Sequence, residues 1–367
     1  MLAQDSSAPK PAEASSPING PFSIGPVSVS GTVDGYYSFN NNHPANRVNK
    51  QHNFDAAANQ FDLNMAKLRF EMAPDPIGFT MDIGFGTGVD IFSSGEPGNG
   101  NVIPAARGIS NQFLNYVPQA YLSVKPKTWG GFQMDFGKFY TAAGAELTET
   151  YANWNYSRSL LFTNGPFFHA GARANKPLGK NFTVGAQLVN GWNNVHENNA
   201  GKTGGLTAVW TNSKFAWANT YYFGPENSAL DASGILIKGA GKGFRNFFDT
   251  ALTLTPTSNF NAYVNYDYGK NDTNALKGVN PASSATWQAF AIAAKIGMGS
   301  KVYFAPRWEI YDDQDGFITG QKQKLKEFMA TLNYTIADGI MTKFEYRHDS
   351  SDKPIAAGIR VWPKART

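Results

Sequence analysis

Charged residues recur at alternate positions in three short runs of this sequence, with large apolar residues between them. Successive side chains of a β-strand point to opposite faces, so each run would place its charges on one face. Fixed charges on one face attract and orient ions and polar solutes, which makes this an electrostatic surface. The charged residues are Lys67, Arg69 and Glu71 in the first run, Arg307 and Glu309 in the second, and Lys343, Glu345 and Arg347 in the third.

The apolar residues of the same runs indicate which face meets lipid. An ionised Arg or Lys at the middle of a lipid-facing strand costs about 2–4 kcal/mol, so the charged face is expected to line a water-filled lumen. A second interpretation stays open, in which paired charges stiffen the wall, and such a network would also set the field of the lumen. The same rule adds further lumen residues, namely Asp135, Arg173, Arg245, Asp249, Asp267 and Glu327.

A segment of about 26 residues, Thr141–Pro166, separates two strand-like runs and mixes Gly, acidic, aromatic and Arg residues. Connections of this length in a compact domain are usually functional. We expect this inward segment to fold into the lumen, where Glu146 and Glu149 face Arg158. With Arg173 on the adjoining strand they would form a constriction that tunes selectivity. The alternative is a loop that lies over the mouth or outside the barrel.

Composition excludes several other classes of protein. The 367 residues contain no cysteine, so disulfides, thiolate metal sites and Cys nucleophiles are unavailable. Aromatic residues make up 14% and charged residues 16% of the chain, whereas about 25% charged is usual in soluble domains. The net charge of +4 comes without a basic run, so no nucleic-acid partner is expected. No motif indicates a metal or cofactor, and none is predicted.

The rest of the chain supplies the strands that would position these residues. From Val27 onward it falls into fifteen alternating runs, and tight turns alternate strictly with long connectors. This rhythm is typical of outer-membrane barrels, which have short periplasmic turns and long extracellular loops. Closure requires an even number of strands, so a sixteenth is expected in Ala356–Trp362. The predicted runs are Val27–Tyr37, Phe61–Met72, Ile77–Phe85, Tyr116–Lys125, Phe132–Tyr140, Phe167–Asn175, Phe182–Trp192, Leu206–Thr211, Phe215–Phe223, Phe244–Thr255, Phe260–Lys270, Trp287–Met298, Lys301–Asp312, Leu325–Ile336 and Gly339–Asp349.

Three local features refine this prediction. Residues 1–26 are rich in Pro, Ala and Ser and are predicted to be a disordered periplasmic arm before a barrel of residues 27–367. The alternation slips between Met65 and Ala66, which predicts a β-bulge. Near the C-terminus Pro363 has no amide hydrogen for a ladder, which makes closure of the barrel the weakest part of the prediction.

Four stretches of the chain resemble a known family. They are GKFYTAAGAEL, NWNYSRSLLFT, PFFHAGAR and VNGWNNV, and the resemblance is strongest over Phe132–Trp210. They look like the signature of the OmpL-like β-barrel porins (porin-2 type) of bacterial outer membranes. The resemblance implies an all-β fold, a transmembrane antiparallel up-and-down barrel of about 16 strands. It also implies that the protein resides in the bacterial outer membrane.

These observations predict a porin, through which small hydrophilic solutes or ions diffuse passively without a chemical reaction. Its expected partners are outer-membrane lipid, lipopolysaccharide and the solutes, and porins of this size often form homotrimers. Two alternatives stay open. One is a lipase-like barrel enzyme, for which His169 is a strand-embedded candidate beside His348. The other is a plugged structural or adhesive barrel whose loops occlude the lumen.

Overall fold

The computed structural model describes residues 22–94, 112–199, 201–227, 243–272, 284–354 and 360–361. Almost all regular structure in this part of the chain is β-strand, with three short α-helices, α1 (Thr87–Ser94), α2 (Gln112–Asn115) and α3 (Leu160–Thr163), and two 3-10 helices, Lys127–Trp129 and Thr150–Ala152. The strands are β1 (Phe22–Ile24), β2 (Val27–Ser38), β3 (Gln60–Met72), β4 (Ile77–Phe85), β5 (Gln119–Val124), β6 (Gln133–Tyr140), β7 (Phe168–Pro177), β8 (Phe182–Val189), β9 (Thr203–Thr211), β10 (Phe215–Pro225), β11 (Phe244–Thr257), β12 (Phe260–Asp272), β13 (Ser284–Gly297), β14 (Val302–Asp313), β15 (Gln323–Ala337), β16 (Ile340–Ser351) and β17 (Arg360–Val361).

Each strand from β1 to β15 pairs in antiparallel fashion with the next one in the chain. The fifteen predicted runs correspond to β2–β16, so the prediction of an all-β, up-and-down architecture is confirmed. Short turns follow β1, β3 and every second strand up to β15, whereas the connections that follow β2, β4 and every second strand up to β14 are long. We call the two ends of the sheet the turn end and the loop end. None of the described helices is long and apolar enough to cross a membrane.

A bulge in β3 marks the slip that the sequence predicts. Asp34 pairs with Met65 and Gly35 pairs with Leu63, so Asn64 is the extra residue. Asn64 and Met65 are therefore both buried, although they are neighbours in the strand. The bulge lies one residue before the predicted position, and beyond it Lys67 and Arg69 return to the inner face.

The two faces of the sheet differ in the way the alternation predicts. On the outer face large apolar side chains are exposed, such as Val33 (79%) and Phe61 (84%). On the inner face most side chains of β10–β15 are buried, and they form one apolar cluster with Ala143, Trp154 and Leu160 of the inward segment. The inward segment therefore lies inside the sheet and packs on its inner face.

The ends of the sheet meet in an unusual way. Between β2 and β16 the number of strands is odd, so these two strands run in the same direction. In the part of the chain that the structure describes, they share no ladder of paired residues. β1 covers the first residues of β2, and β17 pairs in parallel with Ser350 and Ser351 of β16. Thr150 joins the two edges from inside, because its hydroxyl donates to Asp34 and its carbonyl accepts from Lys343.

Two sequence-based expectations fall at these ends. Of the predicted closing strand Ala356–Trp362 only Arg360–Val361 is described, and its parallel pairing differs from the antiparallel closure that we expected. Of the predicted N-terminal arm, residues 1–21 lie outside the described residues. Phe22–Ile24 form β1, because Gly25 adopts a positive φ of 61° and turns the chain back against β2.

Candidate functional site

The inward segment leaves β6 and follows the wall across β10–β12. The amide of Gly144 donates to Oδ1 of Asp249 at 2.9 Å, and the amide of Ala145 donates to Oδ1 of Asn265 at 3.0 Å. Gly144 has a φ of 95°, a backbone conformation that residues other than glycine rarely adopt. Wall side chains thus satisfy backbone donors that would otherwise be buried without partners.

Glu146 joins the inward segment to β14. Its Oε1 lies 2.5 Å from Nη1 of Arg307, whose Nε and Nη2 each bond to Glu327 at 3.0 Å. Glu309, the neighbour of Arg307 on the inner face, accepts the amide of Leu160 at 2.7 Å. All of these charged side chains are buried. Glu146, which was predicted to face the lumen, therefore neutralises Arg307 of the wall.

Glu149 makes the corresponding contact on β3. It forms ion pairs with Lys67 and, at 3.4 Å, with Arg69. Burial alone would raise the pKa of Glu149, but these two cations outweigh burial and lower it. Asp82 of β4, which the sequence analysis did not single out, accepts from both cations at 2.8–3.0 Å. Glu149 thus completes a group of two acids and two bases.

Arg158 plays a different part from its predicted one. Its guanidinium donates to the carbonyls of Leu147 at 2.9 Å, Thr148 at 2.6 Å and Tyr156. The side chain is fully buried, and burial lowers its pKa. Its hydrogen bonds therefore close the inward segment on itself, whereas Glu146 and Glu149 bond to the wall.

The return limb of the inward segment is held by β16. The amides of Tyr156 and Ser157 donate to Glu345 at 2.7 and 2.9 Å. Nζ of Lys343 donates to carbonyls of the segment, among them those of Thr150 at 2.9 Å and Asn153 at 2.5 Å. The predicted charges of β16 thus contact the inward segment directly.

The remaining predicted residues occupy separate places on the inner face. Arg173 pairs with Asp135 at 2.8 Å between the rings of Tyr121 and Phe139, away from the acids of the inward segment. Arg245 bonds to Asn271 at 3.0 Å.

Three more predicted residues lie on the inner face or at the turn end. Asp249 and Asp267 are directly paired across β11 and β12, and Asn265 donates to both. Glu71 is exposed at the turn end. The structure thus gathers Glu146, Glu149, Arg307, Lys343 and Glu345 around the inward segment and leaves Arg173 apart.

The first long loop, residues 39–59 (loop 1), also enters the lumen. This placement was not predicted from the sequence. Phe54 is 1% exposed and packs 5.7 Å from the ring of Phe162. It also lies 4.7 Å beneath the guanidinium of Arg158. The signal in the sequence was the run Phe54–Ala58, because an aromatic residue and three alanines are unusual in a solvated loop tip. Loop 1 therefore covers the inward segment at the loop end.

The two histidines considered for an enzyme lie on opposite faces. His169 is buried on the inner face, where Nδ1 contacts the carbonyl of Gly191 at 2.9 Å and the ring packs 4.5 Å from Tyr222. His348 is exposed and pairs with Phe328 of β15. Within the described ranges no group of three or more His, Cys, Asp or Glu side chains is arranged to hold a metal. The geometry provides fixed charges and hydrogen bonds around a narrowed lumen.

Comparisons with known proteins agree with this architecture. The sequence model of the family described as "Putative beta-barrel porin-2, OmpL-like" matches residues 26–360. No curated protein matches the chain in sequence. Among solved structures, OmpF of Salmonella typhi in complex with daunomycin is similar with a TM-score of 0.55 and 13% identity, covering 88% of this chain and 89% of that chain. OmpT of Vibrio cholerae, expressed in the outer membrane, has a TM-score of 0.54 and 13% identity, covering 90% and 89% of the two chains. At this identity the likeness shows the fold.

Proposed function

Because the chain belongs to the OmpL-like porin-2 family, we propose that it is an outer-membrane porin through which small hydrophilic solutes or ions diffuse passively. The observation that carries the proposal is the inward segment, which lies inside the sheet and is tied to the wall by buried charges. A segment so placed sets the narrowest part of a lumen. The proposed activity involves no chemical step and no cofactor.

The residues that control passage are those that fix the inward segment. In this proposal Glu146, Glu149 and Arg158 set the constriction, and Arg173 contributes positive charge further along the inner face. The other inner-face charges set the field along the lumen, because paired acidic and basic groups in a pore bias which ions enter it. Those pore-lining residues are Lys67, Arg69, Glu71, Asp135, Arg245, Asp249, Asp267, Arg307, Glu309, Glu327, Lys343, Glu345 and Arg347.

The test is the conductance of the purified protein in planar lipid bilayers, recorded between pH 6 and pH 10. We expect discrete current steps, and we expect Glu149→Gln to change their size or the cation-to-anion permeability ratio, because Lys67 and Arg69 lose one of their two acidic partners. Asp75→Asn is the control, since Asp75 pairs with Lys127 at an exposed turn and lies outside the pore-lining set. A protein that inserts into the bilayer but passes no current would refute the porin function.

A second candidate, a plugged barrel, is favoured by one observation. The inward segment contacts inner-face side chains of β2, β3, β10–β12 and β14–β16, so it spans most of the wall. Liposome swelling in sugars of increasing size separates the candidates. A porin gives swelling that falls with sugar size, whereas a plugged barrel gives none.

We further infer that the protein lies in the bacterial outer membrane as a homotrimer, with lipid and lipopolysaccharide around its outer face. The exposed apolar side chains of that face, among them Val33, Phe61 and Phe136, support contact with lipid or with further copies. Chemical cross-linking in native outer membranes tests the assembly. Monomers alone at saturating cross-linker would overturn the trimer without affecting the pore.

A further inference from the structure

Loop 1 is fastened to the opposite end of the chain by one histidine. Nδ1 of His52 lies 2.5 Å from Oδ2 of Asp55 in the same loop. Nε2 lies 2.9 Å from Oδ2 of Asp349 at the loop end of β16. Ser157 of the inward segment donates its hydroxyl to Asp55 at 2.9 Å. Three elements, loop 1, the inward segment and β16, therefore meet at His52.

The partners of His52 fix its protonation. Both ring nitrogens face carboxylate oxygens, which only accept hydrogen bonds, so both nitrogens must carry hydrogens and the ring is an imidazolium. Burial and Arg347 lower the pKa of His52, but Asp55 and Asp349 outweigh them and raise it to about 9. Burial alone would raise the pKa of Asp55, but His52 and Arg347 outweigh burial and lower it well below its usual range. His52 is thus charged at neutral pH.

Other charged groups on the elements packed against His52 surround its ion pairs. Arg347 of β16 bonds to Asp349 at 3.0 Å and to Glu327 of β15 at 3.1 Å. Its Nη1 also donates to the carbonyl of Arg158 in the inward segment at 3.1 Å. These arginines stay charged at all relevant pH values, and the pKa of Asp55 lies well below its usual range. His52 is therefore the group of this cluster that changes charge on the alkaline side.

We propose that protonated His52 is a latch that holds loop 1 as a lid over the inward segment, and that loss of its proton releases the lid. The lid function rests on the proposed diffusion through the lumen. When Nε2 or Nδ1 loses its hydrogen, one carboxylate faces a lone pair and the ion pairs disappear. Loop 1 then loses its ion pair with Asp349 of β16. A bond from β16 that remains, from Nη2 of Arg347 to the carbonyl of Gln51, is long at 3.5 Å, so Phe54 can leave Arg158 and Phe162.

The direction of the pH dependence follows from the raised pKa. A group whose pKa is higher in the docked state stabilises docking below its ordinary pKa, and that contribution is lost as the pH rises through the docked value. The lid is therefore closed at neutral pH and opens as the pH rises through about 9. Acidification does not open it, because His52 is already protonated.

Cysteine accessibility tests the latch without requiring a current. The chain has no cysteine, so Ala58→Cys places a single thiol at a fully buried position of loop 1. At one fixed pH near 7.5, a polar thiol reagent should modify A58C/H52Q roughly 10- to 100-fold faster than A58C, the range for loss of a charge-assisted hydrogen bond. A58C/H43Q is the matched control, because His43 is an exposed histidine of the same loop. Equal rates in all three proteins would overturn the latch.

Single-channel recording between pH 6 and pH 10 gives the second readout. We expect open time to rise through about pH 9 in the unaltered protein and in H43Q. H52Q should be open and insensitive to pH, and H52R should stay closed because arginine keeps its charge. Open times that do not change with pH in the unaltered protein would overturn the lid. A complete lack of current would instead refute the porin function, and the thiol rates would still decide the latch.

Discussion

At the scale of the residue, most buried charges of the inner face are matched by opposite charges. Glu146 meets Arg307, Glu149 meets Lys67, and Arg173 meets Asp135. A buried charge that loses its partner costs several kcal/mol, whereas exposed ion pairs contribute little. The inner face is therefore sensitive to single substitutions at positions where the outer face is tolerant.

Asp135→Ala should destabilise the barrel by about 3–5 kcal/mol, because Arg173 remains buried between two aromatic rings without its carboxylate. The measurement is the unfolding midpoint in guanidinium, followed by tryptophan fluorescence in detergent. Asp75→Ala is the control, since Asp75 pairs with Lys127 at an exposed turn and should cost less than about 1 kcal/mol. Equal effects of the two substitutions would contradict the role of burial.

At the scale of the element, β6 must both complete the sheet and lead into the inward segment. Gly137 lies opposite Gly171 of β7 and has a φ of 140°. A Cβ at Gly137 would lie 2.3 Å from the carbonyl oxygen of Ala120 and 2.8 Å from Cα of Tyr121. Gly137 thus allows β6 to approach the backbone of β5 closely just before the chain turns inward.

Gly137→Ala should destabilise the protein by about 1–3 kcal/mol, because backbone atoms of β5 cannot yield to the added methyl group. Gly31→Ala is the comparison, since a Cβ there meets first the flexible side chain of Leu68. Thermal unfolding by circular dichroism measures both. A loss at Gly31 as large as that at Gly137 would show that the close approach of β5 to Gly137 does not set the cost.

The sequence predicted the strands well and the contacts of the inward segment poorly, for physical reasons. Lipid outside and polar groups inside impose a period of two along each strand, and this local pattern located β2–β16. The partners of Glu149 depend on the path of a loop relative to β3 and β4, which no local pattern contains. His52 was missed for the same reason, since its partner Asp349 is 297 positions away. Asp82 lies only 13 positions from Arg69, and the alternation along β4 was a sufficient signal to place it on the inner face.

At the scale of the whole molecule, the inward segment and loop 1 fill the lumen of a large antiparallel sheet. Polar and charged bonds hold the segment to the wall from several sides, while Trp154 and Leu160 pack in an apolar cluster with β10–β15. The ladders run from strand to strand without the segment, although Thr150 of the segment bridges β2 and β16. The inward segment and the wall are therefore separable everywhere except at this junction.

Deleting residues 146–158 and joining the ends with a short Gly-Ser linker should raise single-channel conductance severalfold, because the narrowest part of the lumen is removed. Lys67 and Arg69 would keep Asp82, and Arg307 would keep Glu327, so the barrel should still fold. Planar bilayer recording measures the change, with strand content by circular dichroism as the control. A folded deletion variant of unchanged conductance would place the narrowest part elsewhere.

The bond between His52 and Asp349 also has a consequence for biogenesis. These residues are 297 positions apart, so this contact has a very high sequence separation and a correspondingly large loop-closure cost. It forms only after the final long strand has reached its place beside the first. A chain whose insertion stops earlier therefore lacks the bond between His52 and Asp349. Loop 1 is fastened only when assembly of the strands is complete.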